Sequence, residues 1–193
     1  MTHASGKILV ISASTRPGRI CPTVARWVID QAPTGELDLE LVDLADWPLP
    51  GDEPDVPAVA SAYANEHTRD WSRKIGGAAG FVFVTPQYNW GYPASLKNAL
   101  DHLYHEWRGK PAVIVSYGFH GGGRCAAQLR QVLEGFRMRP AATMPALTLP
   151  EAMRTGAGVE AALPAFAPSI PDVERAFTEL HALLEKAVPA RAG

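Results

Sequence analysis

The sequence predicts a three-layer α/β/α sandwich built on a five-stranded parallel sheet of order 2-1-3-4-5. Three observations predict it. Apolar runs without alternation, "KILVIS" (7–12), "GFVFVTP" (80–86) and "GKPAVIVSYG" (109–118), read as strands buried on both faces. Amphipathic helical stretches alternate with them along the chain. No internal repeat or second apolar block divides the sequence, and 193 residues with 47% hydrophobic content can form one domain, 1–193, with a substantial core.

The elements follow in order. After the first strand, "PTVARWVIDQA" (22–32) sets Val24, Trp27 and Val28 at helical spacing, with Pro22 suited to a first turn. "LDLELVDLA" (37–45) alternates, placing Leu37, Leu39 and Leu41 on one side, as in a strand nearer the sheet edge. A proline-rich connection, "WPLPGDEPDVPAVA", leads to a helix within 62–78 that ends at Gly76-Gly77. A helix from about Pro93 to Tyr104 follows the second buried run. "GGGRCAAQLRQVLEGF" is a glycine loop and then a helix whose face carries Leu129, Val132, Leu133 and Phe136. "RPAATMPALTL" is read as a short fifth strand. Ala, Gly and Pro make 150–171 a mobile loop, and 172–188 a terminal amphipathic helix.

Composition limits the function classes. A net charge of −2 provides no broad basic field for nucleic acid or an anionic membrane. Two cysteines, neither in a Cys-x-x-Cys pair, require no oxidising compartment. No run reaches the length of a membrane span, and the N-terminal apolar run is short for a signal peptide, so a cytoplasmic protein is expected.

In a sheet of this order, ligands bind beyond the strand carboxyl ends, where the order reverses. Three loops meet there. The first, "SASTRPGRICPT", feeds a helix N-terminus and carries Ser14, Arg16, Arg19 and Thr23; hydroxyls, guanidinium groups and free N–H groups together suit a phosphate. A plain helix cap is the alternative. The glycines of a dinucleotide fingerprint and the lysine of a Walker loop are missing. Cys21 is better read as packing than as a nucleophile. In the second loop, "PQYNWGY", Pro86 stops the strand and Asn89 and Gly91 tolerate left-handed geometry. Tyr88 and Trp90 supply flat walls that suit a large planar ligand, unless the rings form a subunit contact. The third, "SYGFHGGGR", with Gly118, Gly121, Gly122 and Gly123, lets backbone pass close to a ligand edge, because these residues carry no Cβ.

These motifs resemble the NAD(P)H-dependent FMN reductases, a flavodoxin-like family that includes quinone and azo-dye reductases. "SASTRPGR" is similar to that family's phosphate loop, with Ala13 where glycine is common. "TPQYNWGYPASLKNALDHL" is similar to its Pro-x-Tyr-Asn segment almost throughout. The resemblance spans Ile8 to about Phe136. It implies non-covalent FMN, with the phosphate on Ser14, Arg16 and Arg19 and, more weakly, Thr23. The ring would lie along Pro86, Gln87, Tyr88, Asn89 and Trp90, with Ser116, Gly118, Gly121 and Gly122 on its other side. Backbone N–H groups of Tyr88 or Asn89 would steady it.

The resemblance also implies a ping-pong transfer of electrons from NADPH or NADH through FMN to a quinone, an azo compound or free flavin. The assembly would be a homodimer or homotetramer. No catalytic side chain is expected, because the cofactor carries the chemistry. The alternatives are a flavin-binding electron carrier without reductase activity, and a regulatory module of the same topology. His102 and His105 beside Asp101 and Glu106 lack an evident third ligand for a metal, Lys97 and Asp101 have helix ion-pair spacing, and Trp107 is either a subunit anchor or a core ring. Arg124 either reaches a nucleotide phosphate or is solvated.

Overall fold

A computed structural model describes residues 6–51 and 62–186. Residues 52–61 of the proline-rich connection and the end of the last predicted helix lie outside that range.

The central strands are β1 (Ile8–Ser12), β3 (Gly80–Pro86) and β4 (Pro111–Gly118), with β2 (Leu39–Asp43) at one edge. Every residue of β1 and β3 is buried, because helices cover both faces of the sheet. All pairings are parallel, in register Ile8 with Leu39, Ile8 with Gly80 and Phe81 with Ala112. With β5 at Arg139–Pro140, the order is β2-β1-β3-β4-β5, as expected from the sequence.

The expected fifth strand is split. β5 (Arg139–Pro140) and β6 (Ala146–Thr148) both pair with β4, in register Pro111 with Arg139 and Ser116 with Ala146. Pro140 and Pro145 have no N–H for the ladder, which favours a break between them. The chain between leaves the sheet, and Glu179 holds it by accepting from the Thr143 N–H at 2.8 Å and Oγ1 at 2.6 Å.

The strands divide their side chains between two cores. On one face Leu9, Ile11, Phe81 and Phe83 meet α2 (Glu66–Gly76), α3 (Ala94–Asp101) and α4 (Gly123–Gly135). On the other Val10, Val82, Val84, Val113 and Val115 meet α1 (Cys21–Asp30) and α5 (Ile170–Glu185). Each fully buried aliphatic chain contributes roughly 1.5–3 kcal/mol. Trp107 belongs to the first core at 1% exposure, its indole N–H donating to Leu100 O at 3.0 Å. The edge alternation in β2 is also visible: Leu39 and Leu41 pack on the α1 side, while Glu40 turns to Lys7 and Lys74.

The expected loop at 150–171 contains three short 3-10 turns, Glu151–Thr155, Val159–Ala161 and Pro164–Ser169, and Ile170 begins α5. This segment buries Ala162 and Phe166, with the Phe166 ring 5.2 Å from that of Trp27. Among the described residues, no helix is long and apolar enough to cross a membrane.

Candidate functional site

β1 and β3 lie side by side, but their connections run to opposite sides, which opens a crevice at their carboxyl ends. A cavity of about 370 Å³ lies there. The first loop supplies Arg16–Ile20, the second Pro86–Tyr88 and the third Tyr117–Phe119, with Leu149 entering from beyond β6. Among the described residues no carboxylate lines it.

The first loop is tied to the second from below. Ser14 is fully buried, and its Oγ shares a hydrogen bond of 2.8 Å with the Tyr88 hydroxyl. The Arg16 guanidinium lies 3.6 Å from the Tyr88 ring centroid. Among the described residues Arg16 faces no carboxylate. Arg19 differs: it also lines the cavity, but its Nη2 donates to Asp43 Oδ2 at 2.7 Å. Asp43 in turn caps the next turn by accepting from the Ala45 N–H at 3.1 Å. Thr23 remains on the first turn of α1, outside the lining, its N–H bonded to Ile20 O at 3.0 Å.

α1 begins without a side-chain cap and with no acidic residue in its first turn. Its positive end therefore opens beside the loop without a compensating charge. Cys21 is buried beneath, its Sγ donating to Val84 O at 3.2 Å. Burial raises its thiol pKa, so the thiolate needed for a nucleophile is disfavoured.

The second loop is a two-residue hairpin turn. Tyr88 N–H donates to Gly91 O at 2.8 Å, and Gly91 N–H to Tyr88 O at 3.0 Å. Asn89 has φ 48 and Trp90 φ 74, the pair of positive values that defines a type I′ turn. Asparagine suits the first place, as expected. The second belongs to Trp90 and not to Gly91, which corrects the sequence reading. The Tyr88 N–H is also taken by the turn itself and cannot serve as a donor to a ligand. Trp90 leaves the cavity lining and stands 62% exposed, with the Arg124 guanidinium 3.3 Å from its ring centroid. Asn89 is also exposed and outside the lining. Gln87 joins the second loop to the third: its Oε1 accepts from the Cys125 N–H at 3.2 Å, in the first turn of α4.

The glycines of the third loop divide by role. Gly118 lines the cavity. Gly121 and Gly122 are buried, with φ 73 and 83. A Cβ on Gly122 would stand 2.9 Å from Ser116 Cβ, and one on Gly121 would stand 3.1 Å from Ala146 Cβ. Close backbone approach is therefore needed here for the protein's own packing. Ser116 is fully buried and donates to Gly121 O at 2.9 Å, so it braces the loop from behind the cavity.

Sequence reading did not select Tyr117, Phe119 or Leu149. Phe119 stands within the quoted third motif and could have been chosen. Leu149 gave no local signal; its N–H reaches Gly118 O at 2.9 Å only through the pairing of β6 with β4. Arg154, from the first 3-10 turn after β6, lies 3.9 Å from the Phe119 ring centroid.

The histidine pair does not converge on a metal. His102 is buried, with Thr68 Oγ1 3.0 Å from its Nδ1 and Pro50 O 2.9 Å from its Nε2. Among the described residues no group of three or more His, Cys, Asp or Glu side chains could hold a metal ion.

Residues 6–149 match the model of the NADPH-dependent FMN reductase family. The chain belongs to that family. It is 54% identical over 182 residues to an NAD(P)H-dependent FMN reductase of Schizosaccharomyces pombe, covering 93% of this chain and 90% of that one. A quinone reductase of Escherichia coli is 35% identical over 137 residues, 66% of this chain and 69% of its own. Among solved structures, the NAD(P)H:(acceptor) oxidoreductase FerB of Paracoccus denitrificans superposes with a TM-score of 0.70 at 18% identity, over 94% of this chain and 98% of that one. The last likeness concerns the fold. The three loops that border the first cavity all fall within the span that matches the family.

Proposed function

We propose that this chain is an FMN-containing oxidoreductase that takes electrons from NADPH or NADH and passes them, in a ping-pong scheme, to a quinone, an azo compound or free flavin. The observation that carries the reading is the cavity: Arg16 and Arg19 line it, no carboxylate among the described residues does, and the Gln87 amide and the rings of Tyr88, Tyr117 and Phe119 complete the described lining. Its residues fit a flavin mononucleotide, whose acidic tail and planar head need those two surroundings. Bound FMN supplies the redox chemistry, accepting hydride equivalents and releasing electrons to the acceptor.

The protein's own tasks are to bind and orient. Arg16, stacked on Tyr88 and opposed by no carboxylate among the described residues, holds the phosphate with the open end of α1. Ser14 fixes the Tyr88 ring, and so the platform on which Arg16 rests. Arg19 contributes mainly through its pair with Asp43, which sets the outer wall of the loop. Gln87, oriented by the Cys125 N–H, turns its amide edge toward the ring end, and Pro86 and Gly118 border the same end. Phe119 and Leu149 keep water from that end. No side chain is assigned an acid, base or nucleophile role. A homodimer or homotetramer is the proposed assembly, to be checked by sedimentation.

The test is a visible spectrum of the purified protein, with FMN added if needed, before and after NADPH without oxygen. Flavin bands that bleach, followed by turnover with a quinone, are the expected result. Protein that stays colourless and refuses FMN overturns the proposal. Bound flavin that NADPH does not bleach turns the reading toward an electron carrier.

A further inference from the structure

A second cavity, of about 470 Å³, adjoins the first and shares Gln87 with it; Trp90, His120, Gly123 and Arg124 complete its lining. The Arg124 guanidinium lies over the Trp90 indole, its central carbon 3.3 Å from the ring centroid. Stacking fixes the guanidinium plane and leaves its edge donors available to an oxyanion. Among the described residues no carboxylate pairs with Arg124. No carboxylate of the described residues lines either cavity. Trp90 holds this position from an exposed site at φ 74, where a glycine would be unstrained. Strain of this kind, carried by a ring that is not buried, calls for a role outside packing.

We infer that the Arg124–Trp90 ledge is a phosphate subsite for the reduced nicotinamide nucleotide. The inference rests on the FMN reductase reading and extends it from the flavin to its electron donor. A nicotinamide that reaches a flavin in the first cavity leaves its own phosphates outside. They must lie near the ring end, across Gln87, because Arg16 and the start of α1 are occupied by the flavin's phosphate. Arg124 is the permanent cation in the lining on that side, with the imidazole of His120 beside it. The phosphate in question is either the pyrophosphate, common to NADH and NADPH, or the 2′-phosphate, present on NADPH alone.

The experiment uses FMN-loaded wild type, Arg124→Ala, Arg124→Lys and, as a charge control on α2, Arg73→Ala. Calorimetric titration with NADP⁺ and NAD⁺ gives binding without turnover, and steady-state rates with one uncharged quinone give KM for NADPH and NADH. Loss of one charged phosphate contact is expected to weaken NADP⁺ about tenfold and raise KM for NADPH similarly in Arg124→Ala. Arg124→Lys should recover part of the loss, and Arg73→Ala should match wild type. A loss shared by NAD⁺ and NADH assigns the pyrophosphate; a loss confined to the phosphorylated nucleotides assigns the 2′-phosphate. Arg124→Ala that loads FMN and keeps both constants within about twofold of wild type overturns the inference, as does an Arg124→Ala protein that folds but no longer loads FMN. Wild type that refuses FMN strikes the parent reading instead.

Discussion

Two polar clusters of this chain are built in opposite ways. Beneath α2, Glu106 is buried and accepts from the Tyr63 hydroxyl at 2.8 Å and from Ser72 Oγ at 2.6 Å, while Thr68, His102 and the carbonyl of Pro50 form a second closed chain. At the carboxyl rim of the sheet, Arg16 and Arg124 each lie on an aromatic ring and face no carboxylate among the described residues. The first cluster satisfies its donors and acceptors internally. The second keeps charged donors turned toward open cavities. Polar groups of the first kind hold α2 on the sheet; those of the second kind mark where a ligand is expected.

The comparison can be broken at several points. The largest effect is expected from Glu106→Ala, which leaves two buried hydroxyl donors without an acceptor. A loss of about 3 kcal/mol in urea unfolding is predicted, with FMN affinity of the folded fraction unchanged. Altered flavin affinity would mean that the two clusters are coupled.

Arg16→Ala reverses the pattern. Flavin affinity should weaken by about 2 kcal/mol, the loss of a charge-assisted contact, as measured by quenching of FMN fluorescence. Stability of the flavin-free protein should change by no more than about 0.5 kcal/mol, because the side chain is exposed and has no carboxylate partner among the described residues. Trp90→Gly sharpens the contrast further. It places glycine where φ is 74, so the flavin-free protein should gain about 1 kcal/mol while the ledge is lost. A thermal melt that falls would show that the indole has a packing role.

A pH-dependent effect concerns Lys110, at the border of the interior cluster. Its Nζ donates to the carbonyls of Ile75 and Gly76 at 2.7 and 2.9 Å, closing the end of α2. Burial pulls its ammonium down to about 8, against the attraction of Glu106. The unfolded chain then binds this proton more tightly than the folded one, so stability should rise with pH from about 8 toward the ordinary lysine value. Denaturant midpoints between pH 8 and 10 should show that rise in wild type and lose it in Lys110→Met.

Much of the fold was legible because its signals are local. Continuous apolar runs announced β1, β3 and β4, and helical spacing announced α1, α4 and α5. The alternation at Leu37–Leu41 placed β2 at an edge. The split last strand was less legible, since Arg139–Pro140 and Ala146–Thr148 gain strand geometry only by pairing with β4. The turns in 150–171 were hidden by a composition that resembles a linker, although Phe166 docks on Trp27.

The candidate site was legible as three loops and less so as individual residues. Side-chain chemistry pointed to Arg16 and Tyr88, and both line the first cavity. It could not reveal that Asp43 engages Arg19, that the hairpin turn takes the Tyr88 N–H, or that Gly121 and Gly122 are required by Ser116 and Ala146. These are consequences of tertiary partners distant in the sequence. Leu149 is the plainest case, since only the sheet brings it to Gly118.

The central claim is that the first cavity grips the flavin by its phosphate through Arg16. The most direct measurement compares FMN with riboflavin, which lacks that phosphate, in wild type and in Arg16→Ala, each by fluorescence titration. Wild type should bind FMN at least about 30-fold more tightly than riboflavin, and Arg16→Ala should lose most of that preference. Equal affinities for the two flavins in wild type, or a preference that Arg16→Ala leaves intact, would contradict it.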